Sequence, residues 1–205
     1  MAKTTTTLPV SGDNPCPFLR ALVAAGRLAD DIEPIGKVAE VIVDTARHGE
    51  GHPALPRAAI AGIALIANGL GPGSVLRTRL QGLRLNRLRG GPLDKKGVGS
   101  GILDAHGDVD AAQLARLRDF AVGKKGSGGR AEPGLGPREL KRFMDANFER
   151  AAGHRRRIDR ALMNGEWPVL LKVMGKDGPN GRYLSMKEVE VLFRQRRLPD
   201  RLSRG

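Results

Sequence analysis

Apolar residues recur along this chain at helical rather than strand spacing. Leu19, Leu22, Val23 and Leu28 predict a first helix over 17–28, and Ile35, Val38, Ile42 and Val43 a second over 34–47. Pro53 and Pro56 introduce a third over 57–69, which Gly69 and Gly71 end. Leu76, Leu80, Leu83 and Leu88, with arginines between them, form a basic amphipathic segment broken near Gly82. A loop follows over 90–99, then a helix from Val109 to Phe120, and then a glycine-rich stretch, 124–137, that reads as a mobile connection. Leu140, Phe143, Met144, Phe148 and Ala151 mark a strong helix over 138–154, with shorter helical pieces at 157–162, 167–173 and 186–193 and a turn over 175–182. No stretch alternates strongly enough to predict a sheet. The expected fold class is therefore all-α: a flexible arm over 1–14, then a single compact helical domain, 15–205, with long Gly/Pro-rich loops.

Composition narrows this picture. A chain of 205 residues suits one domain with a substantial core, and 3% aromatic residues make that core aliphatic and alanine-rich. A lone cysteine excludes an intrachain disulfide and suits a reducing compartment. The first residues, Met1-Ala2-Lys3 and four threonines, lack the apolar run of a secretory signal, and Ala58–Leu70 is too short to span a bilayer. A cytoplasmic location is expected. The formal net charge of +13 favours anionic partners, with basic residues thickest at 77–89, 155–157 and 194–204. One Trp and one Tyr leave little aromatic surface on which nucleic-acid bases could stack.

The cysteine carries the chemistry. Cys16 stands just before the first predicted helix, with Pro17 suited to its first position. The N–H groups of Phe18 and Leu19 would point toward the sulfur, and the helix dipole favours its thiolate. Such a soft anion is an iron ligand or a nucleophile; the alternative is a small buried apolar side chain.

Pro15-Cys16-Pro17-Phe18-Leu19, with Leu22 and Gly26, resembles the opening Pro-Cys-Pro motif of the heme-thiolate peroxidases, the family of chloroperoxidases and unspecific peroxygenases. Arg20 stands where that family usually has Asn, and Ala25 where it often has His. The resemblance implies heme b, with Cys16 as the proximal ligand of its iron and Pro15 and Pro17 framing it. It implies hydrogen peroxide as oxidant and a small organic substrate, in a pocket lined by the 57–70 and 138–154 helices. The positive charge also suits heme propionates.

Asp104 to Arg116 takes the place of the family's acidic motif, where the resemblance implies a magnesium ion held by Asp108 and Asp110; Asp replaces Glu there, and Ala112 replaces Ser. The same residues also read as a decayed EF-hand loop, with Asp104, His106 and Asp108 at its first, third and fifth places, or as an Asp-rich helix N-terminus. A second decayed loop runs from Asp177 to Glu188. Arg142 and Glu149, seven residues apart, share one helix face. That spacing suits a surface ion pair, and within the resemblance it implies the acid–base pair that moves the peroxide proton. Glu139 and His154 are the substitutes. His48, His52 and His106 read as solvent-facing or capping residues, and no paired spacing suggests zinc. Val189 to Pro199 resembles the family's closing Phe-Phe-x-x-Glu-Arg-Leu-Pro, with Arg196 in place of Glu, and reads as packing.

Two rival readings stand beside this one. Gly165-Glu166-Trp167 and Leu184 to Val189, with the decayed loops, resemble the caleosins, which are EF-hand peroxygenases. The charge and the Leu/Arg segment suit a non-catalytic basic helical protein that binds nucleic acid or an anionic membrane.

Overall fold

The computed structural model describes residues 8–51, 53–92, 94, 99–156, 159, 163 and 166–203. Helix α1 (Pro17–Ala24) leads through strand β1 (Ile32–Glu33) into α2 (Ile35–Arg47), α3 (Arg57–Ala67) and α4 (Pro72–Gln81). Strand β2 (Leu83–Arg84) then returns antiparallel to β1. Helix α5 (Ala111–Arg118), strands β3 (Val122–Lys125) and β4 (Ala131–Leu135), α6 (Pro137–Arg150), α7 (Trp167–Met174), β5 (Leu184–Ser185) and α8 (Met186–Gln195) complete the order. The expected helices at 34–47, 57–69, 167–173 and 186–193 thus appear within about a turn of their predicted ends. The predicted piece at 157–162 lies almost wholly outside the described residues, as do 1–7 of the predicted arm and His52.

The all-α expectation is overturned. The structure is mixed, 49% helix and 10% strand, with one two-stranded and one three-stranded antiparallel sheet. The larger sheet, in the order β3-β4-β5, occupies much of the stretch read as mobile. Its strands carry Lys, Gly and Pro rather than alternating apolar residues, and β1, β2 and β5 are two residues long, so none leaves a period-2 signal. Gly134 serves the sheet directly: the Tyr183 ring lies against its Cα, where a side chain would collide.

A polar cluster closes this sheet. Glu132 accepts bonds from Lys176 Nζ (2.8 Å), Tyr183 Oη (2.9 Å) and Ser185 Oγ (2.6 Å). Burial alone would raise the Glu132 carboxyl, but these bonds outweigh it and hold it below the usual range. Glu139 is similar: burial works to raise it, and Lys124 Nζ at 2.9 Å with the Gly136 N–H holds it low. Burial and the neighbouring Glu132 push the Tyr183 hydroxyl in the opposite direction, up, so it stays a donor. Both carboxylates sit below the unfolded Glu value of about 4.3. Their stabilisation is complete above that value and lost as pH falls through the folded values. Thermal melts should therefore hold a constant Tm from pH 7 to about 5 and fall steeply below about pH 4. Glu132→Gln should lower the neutral Tm and flatten that acid limb; an unchanged limb would remove Glu132 from the account.

The aromatic residues are few but grouped. Phe120, Phe143, Trp167 and Phe193 form a chain with centroid spacings of 5.4, 5.5 and 6.3 Å, joining α6, α7 and α8. Around it the core is aliphatic, as the composition requires.

Candidate functional site

Cys16 is fixed from both sides. The Asn14 side chain is fully buried and its Oδ1 accepts the Cys16 N–H at 3.1 Å, an Asx turn that sets the approach to the helix. Cys16 itself is the N-cap of α1 (φ −88°, ψ 109°), its carbonyl accepts the Arg20 N–H at 3.0 Å, and Pro17 follows as the first helical residue. The side chain makes no capping bond to the first turn; it is half-buried and lines a cavity of about 660 Å³.

That cavity has apolar walls and a polar rim. Phe18 and Leu19 of α1, Val38 and Ile42 of α2, Ile60, Ile63 and Ala64 of α3, Trp167 and Leu170 of α7, and Phe193 of α8 form the walls. Arg89, Asp94, Asp104, Arg150 and Glu166 supply its charged groups. The wall expected from 57–70 is present, whereas the 138–154 helix contributes only Arg150. A volume of this size falls within the about 300–1,000 Å³ of small-molecule and cofactor sites.

The two arginines are held by neutral acceptors. Arg150 donates to Gln113 Oε1 at 2.6 Å and to the Gly99 carbonyl at 3.1 Å; Arg89 donates to the carbonyls of Gly12, at 2.8 Å, and Asp104. Neither forms an ion pair among the described residues. Burial, and then the nearby Arg116, lowers the pKa of Arg150, so an anion at this rim would relieve an existing electrostatic cost.

Arg20, the departure from the family motif, is a buried strut that sequence reasoning did not foresee. Only 2% exposed, its guanidinium donates to the carbonyls of Ser11 (3.0 Å), Asn14 (3.2 Å) and Gly107 (3.0 Å). Gly107, at φ +81°, leaves room for that guanidinium where a Cβ would collide with it. Arg20 thereby pins the Asn14–Cys16 turn to the 103–109 hairpin. Arg20→Ala should cost about 3 kcal/mol, because two buried carbonyls and one part-buried one lose a charged donor, and lower Tm by about 6–12 °C. A calorimetric loss under about 2 °C would show that these bonds do not hold the turn.

The other predicted site residues lie elsewhere. Arg142 stacks over the Phe120 ring with Cζ 5.8 Å from the centroid, and Glu149, its side chain 77% exposed, faces Arg155 at 3.6 Å. Neither lines the cavity. Glu139 is tied to Lys124, and His154, His48 and His106 are at the surface. Asp110 caps α5, its Oδ1 accepting the N–H groups of Ala112 (2.8 Å) and Gln113 (3.1 Å), and Asp108 is an exposed carboxylate 4.0 Å from Arg196. Asp104 accepts the backbone N–H groups of Asp108 and His106, which hold its carboxyl low. This geometry is that of the Asp-rich helix N-terminus. In the second loop Asp177 pairs with Arg182, and Glu188 with Arg201 and Lys176. Among the described residues no group of three His, Cys, Asp or Glu side chains is placed to hold a metal ion.

No family model, curated protein or solved structure matches this chain.

The residues at the cavity nevertheless suit one class of group. A thiol at one point of an apolar chamber, with two arginines at the rim, offers a soft ligand for a metal centre, walls for a flat hydrophobic ring and donors for its carboxylates. Glu166, just before α7, and Asp94 are the half-buried carboxylates there. The family resemblance implies Glu149 for the acid–base role, and spacing shows only that Glu149 shares a helix face with Arg142. Spacing does not report which carboxylate reaches a chamber built from five helices.

Proposed function

We propose that this chain is a heme-thiolate peroxidase or peroxygenase that uses hydrogen peroxide to oxidise or oxygenate small organic molecules. The observation that carries the reading is the opening of the N-cap residue Cys16 onto a large apolar cavity. Bound there, heme b would supply a peroxide-activating iron, onto which a thiolate ligand pushes electron density to favour O–O cleavage.

The chain's own residues supply the rest. Cys16, at the N-terminus of α1, would hold the iron through its sulfur. Arg89 and Arg150 would donate charge-assisted hydrogen bonds to the propionate carboxylates. The leucine, isoleucine and valine walls exclude water and select apolar substrates. Glu166 would take the acid–base role that the family resemblance implies for Glu149, accepting and returning a proton beside the peroxide.

The test is reconstitution of the purified chain with heme b, followed by optical titration and a peroxide assay on a small aromatic donor. Saturable binding at one equivalent, a strongly red-shifted band in the reduced carbon monoxide complex, and peroxide-dependent turnover are expected. Failure to bind heme at micromolar concentration overturns the reading.

A further inference from the structure

Helix α4 is built inside out for a helix lying on a protein core. Its one buried residue is Thr78, and at 100° per residue the direction opposite Thr78 falls between Leu76 and Leu80. These leucines are 56% and 75% exposed. Arg77 and Arg79, both exposed, lie on either side of that leucine ridge, about 100° and −60° from Leu76. Leu70, just before the helix, is 48% exposed.

Charge repeats the same message. Between Glu50 and Asp94 the chain has six arginines, Arg57, Arg77, Arg79, Arg84, Arg87 and Arg89, and no acidic residue. Arg77, Arg79, Arg84 and Arg87 form no ion pair with any described residue. Asn68 Nδ2 donates to the carbonyls of Arg84 and Arg87, and its Oδ1 accepts the Arg84 N–H at 2.8 Å, fastening β2 to the end of α3. The chain then bends by 118° between α3 and α4.

We infer that α4 and the preceding Leu70 dock on the surface of an anionic lipid bilayer. Leu70, Leu76 and Leu80 enter the boundary between headgroups and acyl chains, and Arg77 and Arg79 meet the lipid phosphates beside them. A ten-residue helix rises about 15 Å against about 30 Å of hydrocarbon, so α4 lies in the interface and does not span it. A leucine ridge flanked by cations suits this occupant better than nucleic acid, which would use the arginines and leave the leucines in water. Because α4 adjoins α3, whose Ile63 and Ile66 line the cavity, the docked face sits one helix away from the chamber.

The test is flotation of the whole chain with vesicles of pure phosphatidylcholine and of equal parts phosphatidylcholine and phosphatidylglycerol. Binding to the anionic vesicles alone is expected, weakening between about 0.1 M and about 1 M salt as the screening length falls from about 10 to about 3 Å. The Arg77→Gln/Arg79→Gln chain should partition about 25-fold less, at about fivefold per arginine. Leu76→Ser/Leu80→Ser should lose at least about tenfold. Both pairs are exposed, so Tm should stay within about 2 °C in each variant. Three results would overturn the inference: no flotation of the native chain, flotation indifferent to the leucines, or tighter binding to duplex DNA that only the arginine variant loses. Heme binding enters none of these measurements, so the docking face and the cavity reading fail or hold separately.

Discussion

Cys16→Ala should bind heme weakly and without the red-shifted band of the reduced carbon monoxide complex, while remaining folded. The substitution removes one sulfur from a half-buried site and leaves a residue that tolerates the extended N-cap backbone. The Asn14 turn and the Arg20 strut bond only to backbone atoms, so both survive the substitution. The stability change should therefore stay within about 1 kcal/mol, or about 2–4 °C in Tm. Loss of ligation thus separates from unfolding, and optical titration beside a thermal melt reads both. An unchanged band in the alanine chain would remove Cys16 as the ligand, whatever the activity.

Glu166→Gln should lower peroxide turnover by about 10²–10⁴-fold and leave heme affinity and spectrum as they are. Glutamine keeps the shape and polarity of the side chain and removes its capacity to carry a proton at neutral pH. The same change at Glu149 should leave turnover within about threefold, because that carboxylate faces Arg155 at the surface. Measuring kcat for both variants decides between the acid that the family resemblance implies and an acid at the cavity. Equal losses in the two would show that neither position acts alone.

The case of α6 shows how far periodicity reaches. Residues 142 and 149 do share a face, as their spacing requires, but at 100° per residue that face lies opposite Leu140, Phe143, Met144 and Asn147, which are buried. The spacing fixed co-facial placement; the partners of the helix decided which face was wet. Cys16 was legible because it combines a local helix start with a proline at the first position. Arg89, Arg150 and Glu166 were not, because they meet only through the packing of segments far apart in sequence. The β3–β4 hairpin was hidden for a different reason. Its glycines and lysines read as loop, and its stability comes from Tyr183, Ser185 and Lys176, about fifty residues later, bonding to Glu132.

The Arg20 strut also sets an order of events. Its bond to the Gly107 carbonyl spans 87 residues, and Arg89 reaches back 77 residues to the Gly12 carbonyl. A ribosome makes Cys16 long before either partner exists, and synthesis proceeds at about 5–20 residues per second. The turn that presents the sulfur is therefore completed seconds after the sulfur itself is made, once residue 107 has joined the chain. The pocket around the thiol waits longer still, until the wall of Trp167, Leu170 and Phe193 has been made.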